Sequence, residues 1–247
     1  MTNSDLNIIY ELSIYSEDFN KKLTSLLSNN SIHKISITNK KYNTTIEYII
    51  QKIQNINSKL EIIPYYSLKY HQQSSLQDTA LTFIQQLKLY QDLGVKEVLL
   101  ISGIPKPKYD TRQVLEILSK NYQSEQLPQL AVAYNPFLTG LDLEIENNVI
   151  ENKIKSGIIS SIYLQIGIDL NIIRESVQYL RQLQPNLNIY LSLMNPTPTR
   201  LAQFQYRPWK GVYLPQKYLQ SASSAIKINE SIYNLAQELN VSIIQGD

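Results

Sequence analysis

One carboxylate, Glu11, stands inside a strand-like run, Asn7–Ile14. Side chains alternate between the faces of a strand, so Glu11 shares a face with Ile9 and Ser13, while Tyr10, Leu12 and Ile14 share the other. The same alternation sets Ser36 and Thr38 against Ile35 and Ile37, and Tyr163 and Gln165 against Ile162 and Leu164. The apolar parity is expected to meet helices and the polar parity to point inward. A buried carboxylate is costly unless it is paired, protonated or beside a solvated cleft. A carboxyl whose pKa is raised by burial can donate a proton. Pairing with a lysine or hydroxyl inside the sheet is the structural alternative, and these residues alone do not separate the two.

Other chemistries have weaker claims. The chain has 2 histidines and no cysteine, which excludes disulfides, thiol nucleophiles and cysteine-ligated clusters. His33 opens the second strand, at the end of a barrel that usually serves stability, and His71 reads as a solvated loop residue. No carboxylate spacing completes a zinc site, so no metal is expected. No G-x-S-x-G elbow is present, and with only 7 glycines there is no GxGxxG or GxxxxGK[ST] loop.

Charge is balanced, with 23 basic and 21 acidic residues mixed along the chain, which gives no electrostatic case for nucleic acid or an anionic membrane. No apolar run approaches the ~20 residues that span a bilayer. The opening Met1-Thr-Asn-Ser-Asp-Leu6 lacks the pattern of a secretory signal, so a cytoplasmic protein is expected.

The elements that must position these residues alternate. Strand-like runs cover Asn7–Ile14, His33–Thr38, Leu60–Tyr66, Glu97–Ser102, Leu130–Tyr134, Ser161–Ile166, Asn186–Leu193 and Val241–Gln245, with Gly211–Leu214 a rival for the eighth place. Helical patterns cover Asp18–Leu27, Thr45–Ile56, Leu76–Leu93, Thr111–Tyr122, Glu144–Ser156, Leu170–Leu183, Thr199–Phe204 and Gln216–Leu239. In the third of these, Leu81, Ile84, Leu87 and Leu93 recur at roughly helical spacing, and Gly94 fits a C-cap. The alternation predicts one α/β domain over residues 1–247, a (β/α)8 TIM barrel with little or no helix after its last strand. That seam would be exposed, or covered by Gln216–Leu239 or a partner, and is a candidate surface for homo- or hetero-oligomers.

Read together, several segments resemble the methylenetetrahydrofolate reductase family. They are Tyr10-Glu-Leu12, Ile35-Ser-Ile-Thr38, Leu93-Gly-Val-Lys-Glu-Val-Leu-Leu100, Ala131-Val-Ala-Tyr134, Lys153-Ile-Lys-Ser-Gly157 and Gln165. The resemblance covers most of the chain in order. It implies a barrel that uses FAD and NAD(P)H in one-carbon metabolism, transferring hydride to a methylene group carried by a folate. Glu11 would be the general acid that helps open the folate's five-membered ring, and Gln165 would contact the folate. Thr38, Gly103, Tyr134 and Lys153 would line the flavin and its phosphates. The chain departs from the family at Ser102-Gly-Ile104, where the family has Arg-Gly-Asp, and at Tyr65-Tyr-Ser67, where it has His-Leu-Thr. Of the family's acidic helix position, Glu146 remains. Losing charge beside a flavin alters its electrostatics. A catalytically inactive barrel that binds a ligand or a regulatory partner is the alternative expectation.

Overall fold

The computed structural model describes residues 7–14, 18–29, 32–38, 45–103, 107–121 and 127–246. Eight parallel strands close into a barrel in sequence order: β1 (Ile8–Ser13), β2 (Lys34–Thr38), β3 (Glu61–Ser67), β4 (Glu97–Ile101), β5 (Gln129–Tyr134), β6 (Ile159–Leu164), β7 (Asn188–Met194) and β8 (Ser242–Gly246). Helices lie between them: α1 (Phe19–Leu27), α2 (Thr45–Ile56), α3 (Leu68–His71), α4 (Leu76–Asp92), α5 (Thr111–Asn121), α6 (Gly140–Lys155), α7 (Leu170–Leu183), α8 (Pro198–Tyr206), α9 (Gln216–Leu219) and α10 (Ala222–Leu239). This is a (β/α)8 barrel. The rival run Gly211–Leu214 is not a strand.

The strand faces explain why these segments close. Ile35, Ile37, Ile62, Val98, Leu100, Ile162, Leu164, Ile189 and Leu191 turn outward into a continuous apolar layer beneath the helices. The opposite parity fills the barrel, where Ile9, Ile63, Leu99, Ala131, Tyr163, Tyr190 and Ile244 form a separate inner cluster. Strand registers stack the inner side chains in layers of four from alternate strands, as barrel closure requires. From the N-terminal end upward, the central layers read Lys34, Glu97, Ser161 and Ser242; then Ile9, Ile63, Ala131 and Tyr190; then Ser36, Leu99, Tyr163 and Ile244. Above them come Glu11, Tyr65, Ala133 and Ser192, and then Thr38, Ile101, Gln165 and Gly246. A register shift where β5 meets β6 lets Ile159 and Ile162 both face the helices.

Two helix readings change. In α4 the buried face is Thr79, Ala80, Phe83, Leu87 and Tyr90, whereas Leu81 is exposed. Counting only aliphatic residues overlooked Phe83 and Tyr90, which occupy the same stripe two turns apart. The run Gln216–Leu239 is two helices, because the Ser221 hydroxyl accepts from the Ser224 N–H and starts α10 afresh. Gly94, at φ +72°, ends α4 by donating to Gln91 O, and Val95 N reaches back to Tyr90 O.

At the seam β8 pairs with both β7 and β1, and among the described residues no helix follows it. α1 and α10 flank the gap, with Tyr233 of α10 donating to Gln245 Oε1 at 3.4 Å. No described helix is long and apolar enough to cross a membrane.

Candidate functional site

The C-terminal ends of the strands carry the residues that matter. Glu11 lies inside the barrel one layer below its upper rim. The Tyr65 hydroxyl, on β3 in the same layer, donates to Glu11 Oε2 at 2.5 Å. Burial first, and then the Glu11 charge, push the Tyr65 pKa well above the ordinary phenol value, so this hydroxyl remains a donor. The short Tyr65 bond holds the carboxyl in one orientation. Gly246, in the rim layer, places no side chain over Glu11; a Cβ there would lie 3.9 Å from Glu11 Oε1.

Gln165 and Thr38 share the rim layer directly above Glu11, so the structure brings these three predicted residues to one mouth. Gln165 is half-buried and its Oε1 accepts from the Ile166 N–H at 2.9 Å, while its own N–H donates to Tyr134 O. Thr38 is buried, with Oγ1 donating to Leu12 O at 3.4 Å. A cavity of about 210 Å³ opens at the β8–β1 seam between α1 and the sheet, lined by Tyr10, Lys22 and Leu26 on its helix side and by Glu11, Asn195 and Gly246 toward the rim. Two larger cavities, about 460 and 480 Å³, lie away from the strand ends, beside Arg112 and Asn152 and beneath Lys34 and Glu97.

Of the other predicted cofactor residues, Tyr134 and Lys153 do not face this mouth. Tyr134 faces the helices, where its hydroxyl donates to Asn147 Oδ1 at 2.6 Å, and burial followed by Glu146 pushes its pKa up to about 12. Lys153 is buried between α6 and β5, where its ammonium donates to Ala133 O at 3.2 Å. Burial lowers its pKa, partly offset by the charges of Glu146 and Asp110. Gly103 (φ +88°) packs so tightly that a Cβ would fall 2.7 Å from Ser67 Oγ and 2.8 Å from Lys69 Cβ. Tyr134 and Lys153 belong to the helix–sheet layer, away from Thr38 and Gly103 near the rim, so these four predicted residues do not form one cradle for a flavin. Ile104, on which the Arg-Gly-Asp comparison turns, lies outside the described residues. Glu146 accepts the Asn135 N–H at 3.1 Å and thereby braces the loop after β5.

His71 is not a solvated loop residue. It ends α3, its ring stacks on Tyr66 at 4.2 Å between centroids, and burial lowers its pKa to about 4. His33 is exposed just ahead of β2. Among the described residues no cluster of three or more carboxylates or imidazoles could hold a metal ion.

Sequence reasoning missed the opposite end of the barrel. There Lys34 donates to Glu97 Oε2 at 3.1 Å and lies 3.5 Å from Glu61, and the Tyr190 hydroxyl donates to the same Glu97 oxygen at 3.2 Å. Burial alone would lower the Lys34 pKa, but Glu97, Tyr190 and Glu61 together raise it above the ordinary lysine value. The signal was available, because Lys34 and Glu97 hold the inward parity of strands whose neighbouring positions are Ile and Val.

No protein-family model matches the chain, and no curated protein matches it. Solved structures do. An uncharacterised protein from Clostridium thermocellum that binds two copies of 5-methyl-5,6,7,8-tetrahydrofolic acid is similar at TM-score 0.62 and 16% identity, covering 97% of this chain and 87% of that one. Active domain 2 of a chitinase from Pyrococcus furiosus is similar at TM-score 0.62 and 11% identity, covering 97% and 83%. Yersinia pestis DHPS, in complex with a pterine-sulfa conjugate, is similar at TM-score 0.51 and 12% identity, covering 100% and 88%. At such identities these likenesses show a barrel fold shared by enzymes and a folate-binding protein.

Proposed function

We propose that the C-terminal mouth of this barrel binds a folate-like ligand, with the pterin end against Glu11 and with Gln165 and Thr38 on the rim above. The observation that carries this reading is the Glu11 carboxyl, oriented by Tyr65 one layer below the rim, where Gly246 adds no side chain. A pterin offers adjacent N–H donors, which a fixed carboxylate accepts as a pair. The cavity of about 210 Å³ that Glu11 helps line is smaller than the ~300–1,000 Å³ of most ligand pockets and opens on the α1 side of the seam, so it would take at most one end of such a molecule. Two of the similar barrels were solved with a folate or a pterin compound, which supports this ligand class. Glycoside hydrolysis, the chemistry of a chitinase, needs two carboxylates facing one bond. Among the described strand-end residues Glu11 is the one carboxylate, which disfavours that reading.

The finer reading is a reductase of the methylenetetrahydrofolate type. Glu11 would then protonate the nitrogen that leaves the folate's methylene carbon, and a nicotinamide hydride would reduce the iminium carbon so formed. The placement of Tyr134 and Lys153 in the helical layer favours the alternative, a barrel that binds folate without flavin chemistry.

Calorimetric titration of the purified protein with 5-methyltetrahydrofolate tests the binding reading. Glu11→Leu is expected to weaken binding about 10- to 100-fold, the scale of a hydrogen bond to a charged group. Unchanged affinity in that variant, or no binding to the wild type, overturns the proposal. An absorbance spectrum for flavin and an NADH and NADPH oxidation assay decide the finer reading. In a reductase, Glu11→Gln keeps most of the affinity and abolishes turnover.

A further inference from the structure

We propose that the barrel interior contains a bound-water site between Glu97 and Tyr163, seated over the small side chain of Ala131. Three polar atoms come from inward positions of β4 and β6, the two strands beside β5: Glu97 Oε1, Ser161 Oγ and Tyr163 Oη. Each is buried without a hydrogen-bond partner among the described protein groups. Their residues are 3%, 0% and 3% exposed, so bulk solvent does not satisfy them. Buried polar groups are almost always hydrogen-bonded, and three exceptions on one wall point to a shared partner.

The registers say where that partner sits. Ala131 on β5 lies between Glu97 on β4 and Ser161 on β6, one layer above both. The other members of its layer are Ile9, Ile63 and Tyr190, so Ala131 is the one short side chain there. Leu99 and Tyr163 close the space from above.

The donor and acceptor balance identifies the occupant. Burial, and after it Glu97, keep the Tyr163 hydroxyl protonated, so it donates. Glu97 Oε1 accepts, because its sister oxygen already takes bonds from Lys34 and Tyr190. Ser161 does either. One water accepts from Tyr163, donates to Glu97 and donates to Ser161, which is the usual three bonds of a buried water. A cation does not suit the site, since Lys34 already balances Glu97 and Lys96 balances Glu61 at 2.7 Å. A further positive charge there would be buried without a counter-charge.

With this water in place, polar contacts run from Lys34 at the N-terminal end through Glu97 to Tyr163. The Tyr163 ring in turn meets Tyr65, the donor to Glu11, edge-on at 6.3 Å between centroids. The site does not depend on the folate reading.

A high-resolution crystal structure is expected to show ordered density within ~3 Å of all three atoms. Oxygen-17 relaxation dispersion counts long-lived internal waters in solution. Ala131→Val, which fills the space, is expected to lower that count by one. Ser161→Ala removes one of the water's three bonds and is expected to shorten its residence, giving a second readout if the valine variant does not fold. A dry site with Tyr163 bonded directly to Glu97, or dispersion profiles unchanged in the variants, overturns the proposal.

Discussion

At the N-terminal end of the barrel Glu97 faces the Lys34 ammonium, whereas near the C-terminal rim Glu11 faces the Tyr65 hydroxyl. Both are carboxylates on inward positions of buried strands, and sequence parity does not tell them apart. Their partners do. Glu97 is 3% exposed and its charge is matched inside the barrel by Lys34, which Glu61 also approaches. Glu11 is oriented by a phenol beside a glycine that leaves room for something else. A carboxylate paired deep inside the closed barrel contributes to folding, and one held at the rim of the strand ends is placed to meet a ligand.

The comparison breaks or sharpens by experiment. The largest effect is expected for Lys34→Met, which leaves Glu97 buried and uncompensated and should cost about 3–5 kcal/mol by denaturant unfolding. The double change Lys34→Met with Glu97→Gln should recover much of that loss. If Lys34→Met is neutral, the N-terminal cluster is not structural and the contrast fails. Glu11→Gln should cost less than about 1 kcal/mol in the same assay, as it keeps the shape and an acceptor for Tyr65. A loss matching that of Lys34→Met would make Glu11 a structural residue instead. Gly103→Ala near the rim should cost about 1–3 kcal/mol, because φ +88° and the contacts to Ser67 and Lys69 both oppose a side chain.

The smallest effect is a pH dependence. Burial holds the His71 pKa at about 4, below the ordinary 6.5, so on acidification the unfolded chain takes up this proton first. Its contribution to stability is full above pH 6.5 and is lost between 6.5 and 4. His71→Phe, which retains a ring against Tyr66, should flatten that part of the stability profile when unfolding midpoints are measured from pH 7.5 to 4.5. An identical slope in the variant would assign the dependence to other groups.

The barrel itself was legible because β and helical periodicities alternate cleanly and buried β-branched residues mark each strand. Glu11, Thr38 and Gln165 were found by parity, a local property that a closed sheet preserves. What was not legible depends on packing between distant segments. Phe83 and Tyr90 define the inner stripe of α4 only once the sheet they cover is known. The irregularity at β6 has no compositional mark, and Leu68–His71 is too short to show a period. Tyr134 and Lys153 were selected by resemblance to a family, and their side chains turn to the helices because their strand and helix faces are set by this chain's own apolar pattern. Lys34 with Glu97 was a missed opportunity, since the parity argument that found Glu11 applies equally to them.

Gly246 gives the rim an adjustable depth. A methyl group at that position would sit 3.4 Å from Leu193 O and 3.9 Å from Glu11 Oε1, in ordinary contact and without collision. The fold would therefore tolerate alanine there, while anything bulkier would begin to roof over the carboxyl. Side-chain size at position 246 therefore sets how far a ligand can approach the carboxyl from the rim.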